Sequence, residues 1–423
     1  MTRPARTLVN TDFSRLWLGQ AVSQFGDVVS GTALMLWIAV VLLDGRPEAP
    51  AVSGAAILVA TVAALAATPL AGVLADRWDT RRVMLGADLL RCAVTAALSV
   101  VLLLPVGTGA RLAAVFAALV LNAVAAQFFA PAKVILLGDI VPEDRLGRAA
   151  SYNQTAYAVV SIAGPAVAAV LVFGVGIGAT LLLDAASFAV SWYAIRAIAP
   201  TATTRPAAGR PAVLAQFAGG LRTAARDRAV RGLLVAVGLA MTGCGAMTAL
   251  SVYFVRYNLH AGGTWFGILE SAAALGTVAG GLLCGRIAGE RIGYRRLYGA
   301  LLLAFGLLVL AYSRLSSPVP ALVLSIGMGA ALGGLNAAYT PLLITLVPRP
   351  ELGRVSSLVN ATSQAASLLS VAVFSGLVSA ALHGSGSVGF LGLRFGAVDA
   401  VFAGCGLLCA LAGTLTLRDR QAH

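Results

Sequence analysis

Twelve stretches of this chain are so long and so apolar that each must be kept out of water along most of its length. They run roughly 14–43, 51–75, 83–104, 111–135, 149–173, 177–199, 231–257, 264–288, 295–313, 318–346, 355–381 and 393–417. A helix needs about 20 apolar residues to cross a hydrocarbon core ~30 Å thick. Segment length and the near absence of period-two alternation favour helices over strands, because lipid offers no partner to an unpaired backbone group. Composition agrees. The 423 residues are 59% hydrophobic and 11% charged, where a soluble chain carries about 25% charged residues. A water-soluble domain could not hide this much apolar surface, since even a large one exposes about a quarter of what its unfolded chain exposes. The sequence therefore predicts an all-α integral membrane protein with twelve transmembrane helices.

The net charge is +13, from 30 Lys+Arg against 17 Asp+Glu. Position explains this better than nucleic-acid binding, and no nucleic acid is expected as a partner. With the N-terminus taken as cytoplasmic, 24 of the 30 basic residues fall in cytoplasmic stretches, Lys133 among them. Arg46, Arg111, Arg256, Arg314 and Arg394 fall outside, and Arg91 lies within a helix. Such asymmetry is the positive-inside pattern, and it predicts that both termini are cytoplasmic. No cleavable signal peptide is expected, because the first apolar run is too long and lacks a small-residue cleavage site. Cys92, Cys244, Cys284, Cys405 and Cys409 all fall in predicted spans. Cys405 and Cys409 are one turn apart, but no His or acid completes a metal site nearby, so they are read as apolar filler.

The polar stretch 200–230 holds Pro200, Pro206 and Pro211 and several arginines. It divides the chain into a six-helix half at 1–199, a basic cytoplasmic linker at 200–230 and a second six-helix half at 231–423. From Val213 to Arg231 the linker reads either as an amphipathic surface helix or as a solvated basic loop. The halves echo each other. Val141-Pro142-Glu143-Asp144-Arg145-Leu146-Gly147-Arg148 follows the fourth helix, and Val347-Pro348-Arg349-Pro350-Glu351-Leu352-Gly353-Arg354 follows the tenth. A weaker echo links Gly72-Val73-Leu74-Ala75-Asp76-Arg77 with Gly281-Leu282-Leu283-Cys284-Gly285-Arg286. Repeats at half length predict two pseudo-symmetric bundles related by an axis along the membrane normal.

These features resemble the major facilitator superfamily. The most specific stretch is Gly72-Val73-Leu74-Ala75-Asp76-Arg77-Trp78-Asp79-Thr80-Arg81-Arg82-Val83. It departs from the broad signature at Asp79, where Gly is common, and at Thr80, where Arg is common. The Asp-Arg-aromatic-Asp form looks like the enterobactin-exporter and macrolide-efflux branch. So do Leu16-Trp17-Leu18-Gly19-Gln20, Ser23-Gln24-Phe25-Gly26-Asp27 and Asp88-Leu89-Leu90-Arg91. The resemblance implies a secondary transporter that works by alternating access as a monomer, usually an exporter driven by proton exchange. In the family, the cluster matching Gly72, Asp76, Arg77, Arg81 and Arg82 holds helix ends together in one state of the cycle. Arginines at such a place can bind the carbonyls at a helix C-terminus. Gly164-Pro165 resembles a fragment of the exporter Gly-Pro signature without its trailing glycines.

A carboxylate inside a membrane is costly and marks function by default. Asp27 lies about 20 Å along the first helix at 1.5 Å per residue, well inside the membrane. It is a candidate for proton coupling or substrate contact, with a structural hydrogen bond as the alternative. Glu270, in the outer part of the eighth helix, could meet a cationic substrate or a proton, or face outer water. Asp88 and Arg91 stand three apart and are expected to form a structural ion pair. Structural roles lead for Asp184 and Asp399. Asn122, Gln127 and Asn336 are mid-depth candidates for substrate contact, each equally suited to helix–helix hydrogen bonding.

Gly-x-x-x-x-Gly-Lys-Ser/Thr is absent, so no phosphate cradle for ATP is present in the sequence. Gly384, Gly386 and Gly389 match Gly-x-Gly-x-x-Gly in a predicted outer loop with no preceding strand, and the match is read as accidental. No catalytic set, cofactor or metal site is expected. The sequence thus predicts a transporter in a bacterial inner membrane that exports a small amphiphilic organic compound (drug, antibiotic or siderophore-like), with proton antiport implied by the resemblance. A nutrient importer and a non-transporting membrane sensor or scaffold remain open.

Overall fold

The computed structural model describes the backbone of residues 8–75, 78–198, 222–223, 227–287, 293–348, 351–383, 387–390 and 393–418. The polypeptide forms two compact units. The first is Met1–Trp37 with Ala56–Ala208, and the second is Ile38–Ala55 with Gly209–His423. Most of the 200–230 segment lies outside the described residues, as do Asp76 and Arg77 of the sequence signature.

Twelve helices long and apolar enough to cross a membrane are present among the described residues. They are α1 (Thr11–Leu36), α2 (Ala49–Ala75), α3 (Thr80–Leu103), α4 (Thr108–Ile140), α5 (Leu146–Gly174) and α6 (Gly176–Arg196), then α7 (Arg228–Tyr257), α8 (Gly263–Ile287), α9 (Tyr294–Ser313), α10 (Pro318–Leu346), α11 (Leu352–His383) and α12 (Ala397–Arg418). Their ends follow local chemistry. Asn10 caps α1 by accepting from the Phe13 N–H, and Asp79 caps α3 by accepting from the Arg82 N–H. The Asp that departs from the family signature is thus the start signal of α3.

Two features were not anticipated. A π-helical turn, Trp37–Leu42, continues α1, and the boundary between the two units falls at its first residue. Between α11 and α12 the connecting segment forms an antiparallel hairpin, β1 (Ser387–Phe390) with β2 (Leu393–Gly396). Gly389 pairs with Arg394 there, and Gly384 and Gly386 lie outside the described residues.

In the first unit α1 packs on α5 and α6, and α3 packs on α4 and α6. In the second, α7 packs on α11 and α12, and α9 packs on α10 and α12. The pairs recur six helices on, as the internal repeat predicts. The repeated Val-Pro stretches share a hydrogen bond: Arg145 N–H donates to the Pro142 carbonyl and Glu351 N–H to the Pro348 carbonyl, both at 2.9 Å. The first core gathers Leu16, Met84, Phe129, Leu136 and Ile195. In the second unit Phe254 stacks on Tyr312 and Phe402, with ring centroids 4.8 and 4.6 Å away. The 38–55 hairpin is held by a Ser53–Tyr253 hydroxyl pair at 2.7 Å, by Ser379 donating to the Pro47 carbonyl, and by an Asp44–Arg256 ion pair.

Candidate functional site

The first unit concentrates charge in its interior. Asp27 on α1 pairs with Arg91 on α3. The Arg91 guanidinium also lies over the Phe188 ring of α6, 4.1 Å from its centroid. The expected Asp88–Arg91 pair is therefore corrected: Arg91 is drawn across to α1. Asp88 is fully buried and accepts instead from Ser191 on α6 at 2.6 Å, and Ser191 accepts from Gln20 on α1 at 2.9 Å. Asp184 accepts from Ser187 at 3.2 Å, and Ser30 on α1 donates to the Asp27 carbonyl at 3.3 Å. Lys133 on α4 lies within electrostatic reach of both Asp27 and Asp88. Counted in the sequence among the cytoplasmic basic residues, it lies within α4, which continues to Ile140.

α1 and α6 approach closely enough at Gly26 that a Cβ there would collide with Ser187 and Asp184. Only a glycine lets these helices bring Asp27 and Asp184 onto one group. Asp27, Asp88 and Asp184 thus lie in one neighbourhood with Arg91 and Lys133, and among these the ion pair is Asp27–Arg91. Asp88 Oδ1 and Arg91 Nε are buried with no hydrogen-bond partner among the described residues.

Other candidates sit nearby. Asn122 donates to Thr95 at 3.3 Å, and its carbonyl oxygen has no partner among the described residues. Gln127 accepts from Thr68 at 3.2 Å. Arg81 donates to the Ile195 and Arg196 carbonyls at the C-terminal end of α6, at 3.3 and 2.5 Å. Arg82 pairs with Asp79 at 3.7 Å. Gly72 lies in the last turns of α2.

The second unit holds two adjoining cavities that share Cys244, Phe305 and Leu332. One, of about 190 Å³, is lined by Glu270 with Phe266, Tyr312, Met328 and several hydroxyls. Ser251 lines the cavity beside Glu270, and no basic side chain lines it among the described residues. The other, of about 150 Å³, is lined by Asn336, Tyr339 and Asn360. Asp399 pairs with Arg314 at 3.8 Å, consistent with a structural role. Cys244 on α7 meets Cys409 on α12, a contact across the bundle that spacing along one helix does not reveal. Among the described residues no group of three or more His, Cys, Asp or Glu is arranged to hold a metal ion.

Lys133, Asp184, Ser191 and Gln20 are the members of the first-unit group that were not singled out as functional in the sequence. The available signal was Val134-Ile135-Leu136-Leu137, an apolar run that carries α4 on past Lys133.

Comparison with known proteins gives a consistent picture. The family model of the Major Facilitator Superfamily matches residues 16–262 and 233–423. An uncharacterized MFS-type transporter of Bacillus subtilis (strain 168) is 30% identical over 187 residues, 44% of this chain and 41% of that protein. Macrolide efflux protein A of Streptococcus pyogenes is 26% identical over 277 residues, 64% of this chain and 66% of that protein. In alignment the chain spans less than two thirds of the length of either relative. Among solved structures, a bacterial homologue of the iron transporter ferroportin in an inward-facing state superimposes with a TM-score of 0.73 at 14% identity, covering 96% of this chain and 98% of the other. The nucleoside transporter NupG gives 0.71 at 13% identity, covering 96% and 100%. These identities speak for the fold alone. With its twelve spans, its repeated packing and a family model matched along nearly its whole length, this chain is a multi-pass membrane protein that belongs to the Major Facilitator Superfamily.

Proposed function

We propose that the protein is a secondary active exporter of a small amphiphilic organic compound, driven by proton antiport through alternating access. The observation that carries this reading is the intramembrane Asp27–Arg91 pair, with the buried Asp88 and Asp184 and the cation of Lys133 beside it. Either a proton or a cationic group of the cargo adds a positive charge there. Occupancy by one disfavours the other, and a carrier that changes state only when one of them is bound exchanges the two. Glu270 offers a second carboxyl in the aromatic cavity of the other unit, and Asn122, Gln127 and Asn336 supply polar contacts. Gly72, Asp76, Arg77, Arg81 and Arg82 gate the cycle, a role supported by the hold of Arg81 on the α6 carbonyls. The protein acts as a monomer in a bacterial inner membrane with both termini cytoplasmic.

The test uses inside-out vesicles, with a macrolide as first probe after the name of the Streptococcus pyogenes relative. Proton-driven uptake is expected in wild type, and Asp27→Asn should slow it at least about tenfold, ~1.4 kcal/mol in barrier. Unchanged uptake and coupling in Asp27→Asn would remove that residue from the mechanism. Flux indifferent to a protonophore would remove antiport, and flux only in the opposite sense would make the protein an importer.

A further inference from the structure

At the end of the second unit where α7 and α9 begin and α10 and α12 finish, the helices leave a cleft of about 460 Å³. Arg228 and Arg231 in the first turn of α7, Arg295 in the first turn of α9 and Arg418 at the last residue of α12 line it. No acid lines it among the described residues. Arg231 and Arg295 have further interactions of their own, so Arg228 and Arg418 carry most of the case.

Below the arginines the wall turns apolar. Leu342 and Leu346 of α10 lie on one side, and Val235 and Leu415, 52% and 45% exposed, open outward. All four helices are membrane spans and all four end here, so the cleft sits where hydrocarbon meets headgroups. Cationic groups above and aliphatic side chains below match one kind of molecule that abounds at this depth.

We propose that this cleft binds an anionic phospholipid, with its phosphate among Arg228, Arg231, Arg295 and Arg418 and an acyl chain along Val235 and Leu415. A zwitterionic lipid brings its own cation against the arginines, and a water-soluble phosphate leaves the apolar wall uncovered. Anionic headgroups therefore bind in preference to both.

The test is lipid retention. The full chain is placed in nanodiscs of phosphatidylcholine with about 30 mol% phosphatidylglycerol, an anionic fraction that gives the surface potential such sites respond to. It is then washed in detergent, and the retained lipid is measured by native mass spectrometry. Wild type should keep phosphatidylglycerol over phosphatidylcholine, and that preference should fall about fivefold in Arg418→Gln and further in Arg228→Gln/Arg418→Gln. Arg111→Gln, which removes a cation from the first unit, should leave it unchanged. If the double variant does not fold, the single variant at the helix end carries the comparison. No preference in wild type, an equal loss in Arg111→Gln, or thermal stabilisation by glycerol 3-phosphate as large as that by phosphatidylglycerol would each overturn the proposal.

Discussion

Arg91 stands three residues after Asp88 on α3, a spacing at which helical side chains can meet, and its guanidinium nonetheless goes to Asp27 on α1. The Phe188 ring beneath the guanidinium orients it toward α1, while Ser191 engages Asp88 from α6. The intramembrane acids themselves were legible, because a carboxyl amid apolar residues stands out in any sequence. Their partners were not, since spacing along one helix reports only neighbours on that helix, whereas these pairs cross between helices. A double-mutant cycle separates the two pairings. Unfolding measured for Asp27→Asn, Arg91→Gln and the double variant should yield a coupling of about 0.5–3 kcal/mol. The same cycle for Asp88 and Arg91 should yield less. Equal couplings would mean that Arg91 serves both acids, and a larger one for Asp88 would restore the pairing expected from sequence.

Helices α8 and α10 pack backbone to backbone. A Cβ at Gly276 or Gly280 would run into the carbonyls of Ile326 and Ala330, and one at Gly329 or Gly333 into those of Ala273 and Thr277. Without a hydrophobic drive between helices in lipid, such close approach supplies the contact that holds them. Small residues at four-residue spacing are readable in both segments, yet nothing in the spacing says that these two segments face each other. The helix ends show a similar division. Asp79 and Asn10 announce their caps in sequence, whereas the π-turn after Leu36 and the β1–β2 hairpin leave no periodic signal, because the first continues an apolar run and the second is too short to show alternation. Gly329→Val should force α8 and α10 apart and cost about 1–3 kcal/mol, the usual range for overpacking. Gly285→Val, where no atom lies within 4 Å of an added Cβ, should leave the melting temperature in detergent close to wild type. Equal losses at the two sites would show that helix propensity, not the α8–α10 contact, sets the cost.

At the scale of the whole chain, the internal repeat and the charge pattern carry separate information. The repeat is realised in packing, with four helix pairs recurring six elements apart and the same hydrogen bond to the carbonyls of Pro142 and Pro348. An even number of spans puts both ends of the chain on one side, and the arginine distribution chooses the side. Leaving out Lys133, which lies within α4, 23 basic residues remain on the proposed cytoplasmic side against five outside, so the bias does not depend on it. It is also spread over several short connections rather than resting on one, and the short connections are where such charges decide orientation. A fluorescent protein fused after Arg418 should therefore fold and fluoresce in intact cells. Alkaline phosphatase inserted at His260, between α7 and α8, should be active, because that connection lies on the opposite side from both ends. A dark C-terminal fusion together with an inactive phosphatase at His260 would invert the topology, and with it the sense in which the proposed proton gradient drives cargo.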